Sequence, residues 1–289
     1  MKKVISAVLL LCATVVAHAQ SIKLKDVENI KKGKIIVGLS GNSEVDEMFK
    51  RVVEEQWDFS EISEYMELDL ARNKAKSDDN TYVLYLGKVS SGSLTHQTAS
   101  FNYKVISSGY SLKISEGKKS ELYYQFMPST DEKMPEESVV FAVTSIQYLF
   151  KTMVQDGLNS NTKYKNSYKK HTPELKDKEL YIMEGWIDTD ANIGEYYSAA
   201  HKVVSYDTWR NAILEKKEGV VYDIIVPYPI SGNYVYQHYL VDAADGTVYA
   251  IIMPKVAASS HGINMTRSNS GYINKKNLKM YGKALEGKW

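Results

Sequence analysis

LDLARNK (68–74) and YDTWRNA (206–212) place Asp, two residues, Arg and Asn in the same order, 138 residues apart, each ahead of a tyrosine-bearing apolar run. In each string the acid can accept from the free amides of a first helical turn, and the arginine three positions on shares its face. Outward from both strings the same elements recur. KIIVGL (34–39) is a β-branched run of strand length. It leads to a helix whose Val45, Met48, Phe49, Val52 and Val53 follow a spacing of three and four. Ser43 and Asp46 suggest a capping box at its start. Beyond the first string come the strand TYVLYLG (81–87), a hairpin over 100–115 turning at Ser108-Gly109, and the strand ELYYQFM (121–127). Pro135 then opens a long helix with Val139, Ala142, Val143, Ile146, Leu149, Phe150 and Met153 along one side.

Past GLNSNTKYKNSYKKHTP (157–173), which lacks apolar periodicity and reads as a linker, the series restarts. KELYIME (178–184), a helical stretch through Tyr196, Tyr197 and Ala200, KVVS (202–205), the second string, VVYDIIVPY (220–228) and a hairpin turning at Asp245-Gly246 repeat the first half. Adjusted by small insertions and deletions, the register pairs Tyr82 with Tyr222, and Tyr103 and Val105 with Tyr239 and Val241. The expected fold is therefore α/β with mixed sheets. It comprises a signal peptide over 1–19, an N-terminal domain over 20–156, a linker over 157–173 and a duplicated C-terminal domain over 174–289.

The chain starts with Lys2 and Lys3, an uncharged apolar stretch from Val4 to Val16, and Ala17-His18-Ala19. These are the parts of a secretory signal, too short to span a bilayer, so the expected location is the periplasm or the exterior. The only cysteine, Cys12, falls inside that signal, so a mature chain would have neither disulfides nor thiol chemistry. The 36 Lys and Arg nearly balance the 35 Asp and Glu, which gives no footprint for nucleic acid, and no later segment reads as an integral membrane span.

GLSGNS (38–43) sits where a phosphate loop would, but it matches neither nucleotide motif, and Glu44, Asp46 and Glu47 already supply negative charge there. No cofactor motif appears. Asp188, Asp190 and Asn192 have the alternate spacing of the first ligands of a calcium loop, so a weak calcium site is an expectation, although Ile193 stands where the sharp turn needs glycine. In YVYQHY (234–239), Tyr234, Tyr236 and His238 alternate on one strand face, a candidate surface for a ligand. No complete catalytic motif is present, so catalytic residues stay unassigned. The expected function is a non-catalytic envelope module that binds a ligand or an envelope or extracellular protein. The alternative is a hydrolase of envelope or extracellular polymers, with His238, His261 and nearby acids gathered by the fold.

Overall fold

A computed structural model describes residues 22–88, 95–96, 105–106, 109–117, 121–129, 134–188, 191–230, 233–253, 256–259, 262–265 and 271–289. The first half runs α1 (Leu24–Lys32), β1 (Lys34–Leu39), α2 (Ser43–Gln56), β2 (Glu61–Glu67), α3 (Leu68–Lys76) and β3 (Thr81–Lys88). It continues through the short ribbon β4 (Thr95–His96) and β5 (Val105–Ile106), then β6 (Tyr110–Glu116), β7 (Glu121–Phe126) and α4 (Glu136–Asp156). Its sheet has the order β2-β1-β3-β6-β7, with β2, β1 and β3 parallel and β6 and β7 antiparallel to their neighbours.

A short helix, α5 (Tyr164–Lys169), precedes the second half, β8 (Glu179–Met183), α6 (Ile193–Tyr196), β9 (His201–Val204), α7 (Tyr206–Leu214) and β10 (Val220–Ile230). Then come β11 (Asn233–Asp242), β12 (Val248–Ile252), the ribbon β13 (Val256–Ser259) and β14 (Gly262–Met265), and α8 (Lys275–Leu285). The second sheet, read from its other edge, is β9-β8-β10-β11-β12, again with three parallel strands followed by two antiparallel ones. The two sheets thus share strand order and direction. Mixed α/β architecture is what alternating strand and helix patterns imply. Among the described residues no helix is long and apolar enough to cross a membrane.

The repeated strings align turn for turn. α3 and α7 each span nine residues, with Asp69 and Asp207 both second in their helices. Neither acid is the cap: Glu67 precedes α3 without a side-chain bond, whereas the Ser205 hydroxyl accepts from the Thr208 amide. The cap of α2 is likewise Asn42, which accepts from the Val45 amide. Asp46 instead reaches back to the amides of Ser40 and Gly41, at 2.7 and 2.9 Å, and so consumes the donors an anion would need.

The finer register differs from the expected one. Val83 and Tyr85 pack beneath Ala71 and Ala75 of α3, whereas Tyr82 joins the main core on the opposite face. In the second sheet Tyr222 is the residue that meets Trp209 of α7, so pairing Tyr82 with Tyr222 joins opposite faces. Glu116, not Val105, lies across from Tyr82, as Val241 lies across from Tyr222. The expected hairpin over 100–115 is replaced by pairing of β6 with β3 and β7, while β5 pairs with β4. The Asp245-Gly246 turn forms as expected, with Gly246 at φ +74° and a Cβ there destined to meet Thr144 of α4 at 2.6 Å.

α4 is buried on nearly every side, not on a single stripe, because both sheets pack on it. Phe150 meets Tyr123 of the first sheet and Phe141 meets Tyr239 of the second. Phe126 and Tyr228 join the sheets edge to face at 4.6 Å, and one continuous apolar cluster covers both halves. Residues 157–173 are folded rather than solvated: α5 buries Tyr168, whose ring packs on Tyr148 of α4, and Thr172 is also inside.

Candidate functional site

β10 pairs with β8 only from Val220 to Tyr222, and among the described residues no strand pairs with that edge from Asp223 to Ile230. Pro227 and Pro229 fall on this stretch, where a missing amide costs no ladder bond. The chain leaves β8 toward β9 on one side and returns through α7 to β10 on the other, which creates a crevice at the carboxyl ends of the parallel strands. Open α/β sheets bind their ligands at this kind of switch point. A pocket lies there, lined by Met183 and Trp186 at the end of β8, Trp209 of α7, Ile225 and Pro227 of β10, and Tyr236 of β11. Pro128, Pro135, Glu137, Ser138 and Gly271 complete it. Its interior volume is about 30 Å³, room for about two water-sized groups.

The aromatic wall is held from several sides. The Trp186 and Trp209 rings meet at 5.1 Å and 63°, and the Trp209 indole N–H donates to the Asp223 carbonyl at 3.1 Å. Ile273 ties the end of β8 to the start of α8, since its amide donates to the Trp186 carbonyl and its carbonyl accepts from Asp188.

Beside the pocket the first turn of α4 carries Glu136 and Glu137, of which Glu137 lines it. Glu136 accepts from Arg51 at 2.6 Å and from Arg210 at 3.3 Å, which fastens α2 and α7 to one helix end. Glu137, 2% exposed, accepts from the Tyr206 hydroxyl through Oε1 at 2.7 Å. Its Oε2 stands 3.5 Å from Arg210 Nε, an ion-pair distance, and has no hydrogen-bond donor among the described residues. The Glu136 carboxylate raises the Arg51 pKa, first by hydrogen bonding and then by charge.

One step along the same sheet face lies a sealed polar group. Asp223 faces inward beside Ile225, and its carboxyl is pushed up to about 8 by burial, an effect the Tyr281 hydroxyl opposes in part. The Tyr281 hydroxyl shares a 2.7 Å hydrogen bond with His238 Nδ1, and Asn277 Nδ2 lies 3.5 Å from His238 Nε2. Burial and the nearby Asp223 raise the Tyr281 phenol well above its usual range. All four side chains are almost wholly inaccessible.

The three residues expected to form an aromatic face are thus divided. Tyr236 lines the pocket, His238 is 0% exposed within the sealed group, and Tyr234 sits opposite Pro229 in the ladder with its side chain outside the described residues. Of the expected calcium ligands, Asp188 is held by its backbone to Ile273, Asn192 precedes α6 without capping it, and Asp190 lies outside the described residues. Among the described residues no group of three or more His, Cys, Asp or Glu is arranged to hold a metal. The side chain of His261 also lies outside the described residues, while His171 pairs with Glu174 on the surface. Trp186, Trp209 and Glu137 went unrecognised in the sequence as site residues. Their signal was the substitution of Trp209 for Ala71 between the two strings, and two prolines inside a strand.

No protein-family model, curated protein or solved structure matches this chain.

Proposed function

We propose that this chain is a non-catalytic binding module of the cell envelope, periplasmic or extracellular, and that the pocket at the end of β8 receives its ligand. The observation that carries this reading is position: an aromatic-walled crevice at the carboxyl ends of parallel strands, where the strand order reverses. The sealed state of His238 and Asp223 argues against proton transfer there, because a general base must come within hydrogen-bond reach of the proton it takes. Export rests on the pattern of residues 1–19. Duplication of one ancestral unit is supported by the equal strand order and by the matched strings. Trp186 and Trp209 make the reading testable by intrinsic fluorescence. Small apolar solutes should shift the emission saturably and raise the melting temperature, and Trp209→Phe should weaken both effects. A panel of such solutes that leaves emission and melting unchanged would sink the reading.

A further inference from the structure

We infer that the pocket takes a compact primary ammonium group, whose N–H donates to Glu137 Oε2 while its hydrocarbon lies against Trp186 and Trp209; this rests on the pocket being the binding site proposed above. A buried carboxylate oxygen without a donor is costly, and natural interiors satisfy such atoms. Oε2 is such an atom, in a side chain 2% exposed that lines the crevice. Arg210 supplies Oε2 with opposite charge but with no hydrogen bond. Arg210 is drawn to Glu136 and reaches Oε2 only at 3.5 Å, and Arg51 is committed to Glu136. Glu136 and Glu137 thus share Arg210 between them. Glu136 already complements the positive end of α4. A cation entering here therefore meets an anion with free hydrogen-bonding capacity, and indole faces that favour positive charge. The small interior admits the ammonium and a carbon or two, with any longer chain directed to the mouth.

The experiment titrates the full chain, followed by tryptophan fluorescence, with propylammonium, propan-1-ol and tetramethylammonium. Propylammonium should bind at least about tenfold more tightly than propanol, a gap expected of a charge-assisted bond over a neutral one. Tetramethylammonium, which lacks an N–H, should bind more weakly than propylammonium. Glu137→Gln should erase the preference for the ammonium over propanol. Equal binding of propanol and propylammonium by the unaltered protein would overturn the inference while leaving the pocket as an apolar site. Equal binding of the two cations would overturn the hydrogen bond to Oε2. Silence toward all three would sink the binding site itself. The comparison on the unaltered chain decides the matter even if Glu137→Gln fails to fold.

Discussion

α3 and α7 occupy the same place in two sheets of the same order, yet α3 lies flat on its sheet and α7 stands away from its own. The residues facing the sheet explain the difference. α3 presents Ala71 and Ala75, and the helix sits so close that a Cβ on Gly117 would fall 2.0 Å from the Ala75 carbonyl carbon. α7 presents Trp209 and Ile213 at the matching positions. The indole fills the space the alanine leaves to the strand, hydrogen-bonds the backbone of β10, and forms one wall of the pocket. Small side chains make a tight seam; a large one props a crevice open. The arginines diverge in parallel. Arg72 pairs with Asp69 at 3.9 Å and lies over the Tyr85 ring, a surface arrangement, whereas Arg210 reaches across to the two glutamates of α4.

The sharpest way to break this comparison is Trp209→Ala, which gives α7 the residue found in α3. Unless the helix collapses onto the sheet, urea unfolding should report a loss of about 3–5 kcal/mol. A loss below about 1 kcal/mol would mean that α7 can settle as α3 does.

Next in size is Asp223→Asn. Where the second sheet buries this acid, the corresponding core of the first carries apolar side chains such as Leu84 and Ile114. Because burial raises the folded-state pKa to about 8 from the ordinary carboxylate value of 3.8, the folded protein holds a proton that the unfolded chain releases between those values. Stability should therefore fall as pH rises from about 4 to about 8. The Asn variant should lack that decline, so its advantage over the parent should grow toward pH 8. Unfolding midpoints measured across this pH range would show whether the slope flattens.

Arg210→Ala and Arg72→Ala sharpen the contrast between the strings. Removing Arg210 deprives the buried Glu137 of its cation and should cost about 1–2 kcal/mol, discounted because the arginine is partly exposed. Removing Arg72 should cost less than about 1 kcal/mol. Chemical denaturation of both variants at two salt concentrations would test this, with similar losses counting against it. The smallest effect belongs to the helix starts. Ser205→Ala should cost about 1 kcal/mol, whereas Glu67→Ala, at an uncapped start, should stay within about 0.5 kcal/mol.

Local chemistry was legible in the sequence wherever one residue's neighbours along the chain settled its environment. The helix over 43–56, the strands 34–39 and 81–88, and the Asp245-Gly246 turn follow from spacing and turn preference. What escaped depended on contacts between distant segments. α4 showed one apolar stripe because Thr144, Ser145 and Gln147 read as a polar side, yet these are buried too: Thr144 bonds back to the Val140 carbonyl, and Gln147 bonds to the Gln56 carbonyl and the Asp58 amide. Lysines disguised residues 157–173 as a solvated link, although Tyr168 and Thr172 anchor the segment from within. The pocket gathers six separate stretches, so no window of sequence contains it, although Pro227 and Pro229 marked the unpaired edge on which it forms.

The central helix also bears on how the polypeptide reaches this state. A segment synthesised with the first half but enclosed by both sheets leaves any early intermediate with one greasy flank uncovered until residues near Tyr239 arrive. Docking of the second sheet therefore decides when that flank is hidden, and a chain cut short of β11 should expose it.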